Sequence, residues 1–285
     1  MNMDVLSTNL ESINCPCCGT NSNTPWGEEL GFSVVRCIEC RLLYVNPILK
    51  SNCIDVAVRE GLHSIGGNQL DVRSRRVPRK IRYYQSKLKV MFSDLWQSGK
   101  RIDWVDVGAG YGETLEAVRD LAPPGSVLVG VEPMKYKAEM ARKQGLEIRN
   151  SYLEPGMFQA DVISIVDIFS HIPDFHSFLQ IVTKNLKTGG EIFLETGNLA
   201  DLALRSEFPN ELGLPDHLVF AGEPQVRRYL TEAGFDVIQI KKQRVDGFLS
   251  FCKSVVKKLL GRPVVLGIPY ASHYRQLLIR ARLRS

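Results

Sequence analysis

The sequence lacks the features that mark secreted or membrane-spanning chains. The first residues, Met1–Ser12, have neither a basic start nor an apolar segment, so no secretory signal is expected. No uninterrupted apolar run approaches the ~18 residues that would span a bilayer. We find no internal repeat and no low-complexity segment. A cytoplasmic protein is therefore expected, and the composition of 44% hydrophobic and 24% charged residues is that of an ordinary globular chain.

An excess of charge of one sign is also lacking. The formal net charge is +5 over 285 residues, which does not by itself indicate a nucleic-acid partner. The length exceeds the ~100 to 200 residues typical of one domain. One main domain with a small attachment is expected.

A glycine-rich turn follows an apolar segment near the middle of the chain. The β-branched character of Ile102–Val107 predicts a parallel strand buried on both faces, and the spacing of apolar residues in Glu113–Leu121 predicts a helix. Gly108, Gly110 and Gly112 between them allow a sharp turn and close approach to a ligand. The segment therefore predicts a ligand-binding loop between strand and helix.

Carboxylates around this loop indicate the charge of its ligand. Glu113 stands where a dinucleotide fingerprint has its third glycine, and Asp106 precedes the turn. A carboxylate in the first helical turn competes for the positive helix end that would otherwise hold a pyrophosphate. The loop thus suits a ligand without phosphate and with a positive centre, such as S-adenosylmethionine, better than NAD.

A second predicted strand, Val127–Val131, ends at Glu132, which lies 20 residues past Gly112. An acidic residue there is placed to accept hydrogen bonds from ribose hydroxyls. With these motifs, residues 100–200 resemble class I S-adenosylmethionine-dependent methyltransferases. The resemblance implies a Rossmann-like α/β fold with a seven-stranded, mostly parallel sheet. It also implies that the cofactor contacts are Asp106, Gly108, Ala109, Gly110, Gly112, Glu132 and Pro133.

Two Cys-x2-Cys pairs near the start, separated by 18 residues, match the spacing of a four-thiolate zinc site. The predicted ligands are Cys15, Cys18, Cys37 and Cys40, with Cys17 as a spare. Four protein thiolates leave no open coordination position, so a structural ion is expected. The knuckles and the following Leu42–Pro47 resemble bacterial methyltransferases that act on sugars or other small metabolites, although Arg41 replaces the glycine that is usual in them.

We expect three regions: a zinc-binding module over residues 1–50, a mainly helical connector over 51–98, and the methyltransferase domain over 99–285. The connector holds eight basic residues between Asp71 and Val90. Such a run is typical of a solvated helix face, but it can also contact phosphates of RNA or of a nucleotide-linked sugar. At most one of Tyr83 and Tyr84 is expected near the cofactor, because adjacent helical residues point in different directions.

Candidate chemistry beyond the cofactor loop lies after the strand predicted over Ala160–Val166. Open α/β sheets bind ligands beyond the carboxyl ends of their strands, and His171 follows this strand. It can take a proton from an acceptor hydroxyl or simply pack beside the cofactor. His176 is expected on the surface of a helix over Phe175–Leu186, and the next strand is predicted over Glu191–Thr196. Ser151 and Tyr152, after the third strand, are candidates to flank the adenine.

Residues 199–221 are expected to form an acceptor-site insertion, broken by Pro209, Gly213 and Pro215. The segment Asp216–Phe220 resembles one in the same sugar and metabolite enzymes, which makes His217 the second candidate base. A buried histidine bonded to backbone is the alternative. Phe248–Leu260 mixes apolar residues and lysines, a pattern of a helix that packs on the sheet or lies on a membrane surface.

The sequence predicts methyl transfer to a sugar or another small metabolite, with a nucleotide-linked sugar as the specific expectation. O-methylation is favoured, because related sugar C-methyltransferases carry a further C-terminal domain. Two other hypotheses stay open. One is methylation of ribosomal RNA, suggested by the zinc site and the basic run. The other is a non-catalytic adaptor that keeps only the methyltransferase fold. The oligomeric state and the acceptor atom are not indicated.

Overall fold

The computed structural model describes residues 9–65, 68–71, 73, 75–208, 210–244, 248–261 and 273–284. Pro209 of the predicted insertion lies outside these residues. The elements of the first hundred residues are β1 (Leu10–Glu11), β2 (Asn23–Glu29), β3 (Phe32–Cys37), β4 (Leu43–Val45), β5 (Ile48–Leu49), α1 (Ser51–Glu60), β6 (Leu62–Ile65), β7 (Asn68–Asp71), α2 (Arg79–Met91) and α3 (Ser93–Gln97).

The later elements build the main sheet and its covering helices. They are β8 (Asp103–Val107), α4 (Glu113–Arg119), β9 (Val127–Val131), α5 (Lys135–Arg142), β10 (Glu147–Arg149), β11 (Ala160–Val166), a 3₁₀ turn (Phe169–His171), α6 (Phe175–Thr183), β12 (Leu186–Gly197), two further 3₁₀ turns (Leu199–Asp201 and Arg205–Glu207), β13 (Val219–Phe220), α7 (Glu223–Glu232), β14 (Phe235–Arg244), α8 (Phe248–Leu259) and β15 (Arg275–Leu283).

Seven strands form one sheet in the order β10-β9-β8-β11-β12-β15-β14, which confirms the predicted fold class. The first five are parallel, while β15 runs antiparallel to both of its neighbours. Val105, Ile163 and Leu194 are almost fully buried at the centre, as expected for strands covered on both faces. From β8 the chain adds β9 and β10 on one side of that strand, and it then returns to add β11 on the other side. The carboxyl ends of β8 and β11 therefore open into one crevice.

Several boundaries differ from the sequence predictions: the strand predicted from Ile102 begins at Asp103, and the helix predicted to end at Leu121 ends at Arg119. The helix predicted over Phe175–Leu186 ends at Thr183, and the strand predicted from Glu191 begins at Leu186. Leu186 already pairs with Ala160 of β11, ahead of a register shift, so the glycines at 189 and 190 lie inside the strand. The connector, predicted as mainly helical, also contains the β6–β7 hairpin.

The module predicted to bind zinc is continuous with the main domain. Its four-stranded sheet has the order β13-β4-β3-β2, so a strand from residues 199–221 completes it. Val219 pairs with Tyr44, and Phe220 pairs with Leu43. Buried residues of the module, including Cys37 and Tyr44, pack in the same core as Val105 of the main sheet. The position of this module is therefore tied to the segment that follows His217.

The helix predicted over Phe248–Leu260 is present as α8 and exposes Val256 and Leu259. Packing on the sheet and contact with a membrane surface both stay predictions for this helix. Within the described ranges, no helix has both the length and the apolar character needed to cross a bilayer.

Candidate active site

The glycine loop between β8 and α4 has the geometry that its sequence predicts. Gly108, Gly110 and Gly112 have φ values of 68°, 56° and 86°, a region that favours glycine. A Cβ on Gly108 would lie 2.6 Å from Ile168 Cγ2, and one on Gly112 would lie 2.1 Å from Leu146 Cδ1. The backbone turn and its close packing both therefore require residues without side chains.

Glu132 at the end of β9 holds this loop from the neighbouring strand. One carboxylate oxygen accepts a hydrogen bond from Gly110 N at 2.8 Å, and the other accepts one from Met134 N at 2.9 Å. Burial raises the pKa of Glu132, while these two N–H groups oppose the rise. Each oxygen keeps a second lone pair. The carboxylate can therefore accept further hydrogen bonds from a ligand that enters the crevice.

Asp106 lies in β8, just before the loop. The carboxylate of Asp106 is buried and accepts a hydrogen bond of 2.5 Å from the Ser164 hydroxyl, which in turn accepts one from the Trp104 indole. Burial raises the pKa of Asp106 to about 7. Glu113 accepts a hydrogen bond from Val77 N at 2.7 Å. Direct contact of Asp106 or Gly112 with a cofactor stays a prediction.

One cavity of about 1160 Å³ joins the glycine loop to the insertion predicted over residues 199–221. Of the predicted cofactor contacts, the residues that line it are Gly108, Ala109, Gly110, Glu132 and Pro133. Ser151 and Tyr152 line it beside α1, with the Arg59 guanidinium 4.8 Å from the Tyr152 ring centre. Of the two adjacent tyrosines, Tyr84 lines the cavity, whereas the Tyr83 hydroxyl donates to Gln276.

Both candidate bases, His171 and His217, line the same cavity. Their ring centres lie 4.8 Å apart with the planes at 71°. His171 Nδ1 lies 2.9 Å from the carbonyl oxygen of Asp216, and His217 Nδ1 lies 2.7 Å from that of Leu212. A carbonyl can only accept, so each Nδ1 carries a hydrogen, and in the neutral form of each ring Nε2 keeps a free lone pair.

The two imidazoles differ in their electrostatic surroundings. Burial lowers the pKa of His171, but the Asp216 carboxylate more than reverses this, so the net shift is upward. Burial and the neighbouring His171 lower the pKa of His217. His217 is therefore neutral near pH 7, while His171 is the stronger proton acceptor of the pair.

Three polar residues at this end of the cavity were not assigned roles from the sequence. Asp216 contacts His171, and the buried His63 on β6 contacts Asp216 from behind. Asp167 has a left-handed φ of 57° and accepts a hydrogen bond from the Tyr84 hydroxyl at 3.3 Å. A non-glycine residue with positive φ directly after a central strand is a conformational signal that only the folded backbone shows.

Much of the basic run between residues 73 and 89 is neutralised. Lys87 is buried, with its ammonium 2.7 Å from Glu195. Among the described residues, four of the eight basic side chains form ion pairs: Arg73 with Asp71, Arg76 with Glu116, Lys80 with Asp167, and Lys87 with Glu195. The paired side chains of this run have different partners, so the run does not present one uniform face to phosphates.

The four predicted zinc ligands lie together. Cys15 Sγ is 3.5 Å from Cys40 Sγ, Cys18 Sγ is 3.4 Å from Cys37 Sγ, and all four sulfur atoms lie within 4.8 Å of one another. Sulfur atoms around a tetrahedral zinc ion are roughly 3.8 Å apart, so the cluster fits such an ion. Arg41, in the place of the usual glycine, has a left-handed φ of 62°.

His176, expected on an ordinary helix surface, instead touches this module. Its side chain is one-third exposed, and its Nε2 lies 3.2 Å from the carbonyl oxygen of Cys17. Gln225 of α7 also donates to the carbonyl oxygen of Cys40 at 2.5 Å. Side chains from two helices of the main domain therefore contact the backbone of the knuckles and hold it in place.

A parallel sheet with this strand order, a glycine loop after its first strand and an acid after its second define the class I methyltransferase fold. Residues 75–240 match the family described as methyltransferase domain. That match covers more than half of the chain, which thus belongs to this family.

Solved and curated relatives agree with this assignment. A S-adenosylmethionine-dependent methyltransferase from Archaeoglobus fulgidus shares the fold, with a TM-score of 0.50 and 17% identity over 71% of this chain and 94% of its own. The ubiquinone biosynthesis O-methyltransferase of Vibrio atlanticus is 28% identical over 42% of this chain and 51% of its own length. The enzyme of that name from Pectobacterium carotovorum is 26% identical over 42% and 50%. The chain thus spans about half the length of the curated relatives.

Proposed function

We propose that this protein transfers a methyl group from S-adenosylmethionine to a hydroxyl group of a small metabolite. The observation that carries the proposal is a single cavity lined at one end by Gly108, Gly110 and Glu132 and at the other by His171 and His217. A cofactor held by the loop and an acceptor held beside the histidines would share this space. Methyl transfer is an in-line displacement, so alignment of the two supplies much of the rate.

The residues of the loop fit S-adenosylmethionine. When bound, this cofactor supplies an electrophilic methyl group on a positively charged sulfur. Gly108 and Gly110 allow its methionine part to approach the backbone, and Glu132 accepts hydrogen bonds from the ribose hydroxyls. Glu113 occupies the start of α4 with a negative charge, which disfavours a pyrophosphate there.

The histidine pair supports removal of a proton from the acceptor. In its neutral form each ring presents an unprotonated Nε2, because the hydrogen lies on the Nδ1 that faces a carbonyl oxygen. We assign His171 as the general base, since the nearby carboxylate stabilises its protonated form. His217, neutral near pH 7, is assigned to orient the acceptor hydroxyl.

Within the class of small metabolites we propose a sugar, and specifically a nucleotide-linked sugar. Support comes from the resemblance of the knuckles and of Asp216–Phe220 to bacterial methyltransferases that act on sugars or other small metabolites. Glu211 lines the cavity, and its carboxylate can accept hydrogen bonds from sugar hydroxyls. A second candidate is a hydroxylated aromatic compound, favoured by the apolar and aromatic walls that Phe208, Leu212 and Tyr274 provide and by the names of the curated relatives.

We further propose that Cys15, Cys18, Cys37 and Cys40 bind a structural zinc ion and that the protein is cytoplasmic. A four-thiolate site lacks an open position for a reacting group, so the ion stabilises the module and takes no part in methyl transfer. Thiolate ligands persist in a reducing compartment, which is consistent with the proposed location.

The proposal is tested by incubating the purified protein with S-adenosylmethionine and separate panels of nucleotide-linked sugars, free sugars and hydroxylated aromatics. Formation of S-adenosylhomocysteine that depends on an acceptor would support methyl transfer, and mass spectrometry of the product would identify the methylated atom. Turnover on an aromatic panel alone would replace the sugar by the second candidate. Binding of the cofactor without turnover on any panel would leave the adaptor hypothesis in first place.

A further inference from the structure

The carboxylate of Asp216 lies between two histidines that come from distant parts of the chain. Its Oδ1 atom is 3.4 Å from His171 Nδ1 and 3.4 Å from His63 Nε2. His171 ends the turn after β11, whereas His63 belongs to the β6–β7 hairpin. The hairpin thus reaches the proposed base through one shared side chain.

Asp216 contacts His171 through its backbone as well as its side chain. The carbonyl oxygen, 2.9 Å from Nδ1, determines which ring nitrogen carries the hydrogen. The carboxylate adds a negative charge beside the same nitrogen. A hydrogen bond of 2.7 Å from Leu218 N to the carbonyl oxygen of Ser170 holds the two segments side by side. The contact is therefore built into the backbone arrangement.

The side chains of His63 and Asp216 are largely withdrawn from solvent, so their polarity does not simply serve solubility. His63 is 5% exposed, and the side chain of Asp216 is 29% exposed. Burial raises the pKa of Asp216, but the hydrogen bonds from His171 and His63 reverse this and hold it below its ordinary value. The carboxylate thus remains charged at neutral pH with a histidine on either side.

We propose that Asp216 and His63 are positioning residues for His171: the Asp216 carboxylate stabilises the imidazolium of His171, and His63 holds that carboxylate in place. The inference rests on the proposed function for the source of the proton. The hydroxyl proton passes to His171 Nε2 as the acceptor oxygen takes the methyl group, and the electron pair of the broken carbon–sulfur bond remains on sulfur. His171 then releases the proton to solvent.

Other charged and titratable groups also act on His171. His217 faces it across the ring contact, and Lys137 of α5 lowers its pKa. Glu132, at the end of β9, is a further carboxylate whose charge interacts with it. Substitution of Asp216 leaves all three in place, so its effect on His171 can be separated from theirs.

The test is a histidine NMR titration, which needs neither cofactor nor acceptor. The chain has five histidines, and the His171 signal is assigned by comparison with His171→Gln. Asp216→Asn keeps the backbone carbonyl and the side-chain shape but removes the charge, and we expect the pKa of His171 to fall by about 1. Asp174→Asn is the matched control, because Asp174 also lines the cavity but bonds to Ser177.

His63 is tested by two variants in the same titration. His63→Leu removes the donor to Asp216 and is expected to lower the pKa of His171, by less than Asp216→Asn does. His63→Gln retains an N–H donor and is expected to restore most of the wild-type value. A His171 pKa unchanged in Asp216→Asn would overturn the proposal, and one unchanged in His63→Leu would remove His63 from it.

Kinetics separate this inference from the proposed function. If an acceptor is found, the acidic limb of the kcat/KM profile should move to lower pH in Asp216→Asn, with lower kcat and unchanged KM for the cofactor. A limb that stays in place would contradict the role in proton transfer. If no acceptor reacts, the proposed function fails while the NMR result still decides whether Asp216 controls His171.

Discussion

Glu132 and Gly110 are joined by a hydrogen bond of 2.8 Å from the glycine N–H to the carboxylate. The bond links the end of β9 to the loop after β8, the two neighbouring elements that open into the crevice. It holds the loop in a conformation suited to a ligand before any ligand arrives. Such preorganisation reduces the conformational entropy that binding must remove.

Replacement of Glu132 by Gln is expected to weaken binding of S-adenosylhomocysteine about tenfold to a hundredfold, as for loss of a hydrogen bond to a charged group. The Gln side chain has one acceptor oxygen, so its NH2 group faces one of the two backbone N–H groups that bond to Glu132. Isothermal titration calorimetry measures the effect. Glu139→Gln, at a half-exposed side chain on α5, is the control, and equal affinities of the two variants would remove Glu132 from the site.

Replacement of His171 or His217 by Ala is expected to lower turnover while the affinity for S-adenosylhomocysteine stays as in the wild type. General base catalysis contributes about 100-fold or more, so His171→Ala should show the larger loss. His273→Gln, at an exposed position, is the control. Unchanged turnover in both alanine variants would eliminate proton abstraction by this pair.

The cysteine cluster is expected to bind one zinc ion per chain, and Cys40→Ser should lower the melting temperature by several degrees, because metal binding contributes to folding free energy. Since β4 of the module pairs with β13 next to His217, turnover should fall more than cofactor affinity. Metal content by atomic absorption and thermal melts check this. Cys252→Ser is the control, and a zinc-free wild type with the same melting temperature would contradict the assignment.

Asp106 is expected to make stability depend on pH. Its pKa, about 7 when folded, exceeds the ordinary value of 3.8, so between these values the folded state binds more protons than the unfolded state. Stability from this group therefore falls as pH rises through that range. Asp106→Asn should lose less stability than the wild type between about pH 4 and pH 7 in urea unfolding. Asp120→Asn, at an exposed carboxylate, should behave as wild type, and identical slopes in all three would refute the expectation.

The elements predicted most reliably were those with the strongest apolar pattern. The strand Ala160–Val166 has the predicted bounds, because five of its seven residues are apolar and buried. The glycine loop, Glu132 and His171 each follow a parallel strand, and the segment that carries His217 returns to the same end of the sheet. All of them therefore line one cavity. Strand ends share one edge of the sheet, so the order of motifs along the chain was enough to bring them together.

The contacts that the sequence did not reveal depend on short or irregular segments. The β6 strand that carries His63 has only four residues, and β13 has two, too few for a periodic signal. Asp216 reaches His171 through a turn whose path is determined by tertiary packing. Lys87 looks like one of many basic helix residues, yet its side chain lies inward against Glu195. Direction around a helix and the path of a loop are properties of the packed chain.

The most direct test of the central claim is a thermal-shift titration with S-adenosylmethionine and S-adenosylhomocysteine, with NAD as the control ligand. A ligand that binds only the folded state raises the apparent melting temperature in a saturable way. We expect such a shift with both sulfur compounds and none with NAD. The absence of a shift with either sulfur compound at millimolar concentration, or an equal shift with NAD, would contradict the assignment of this cavity as a methyltransferase site.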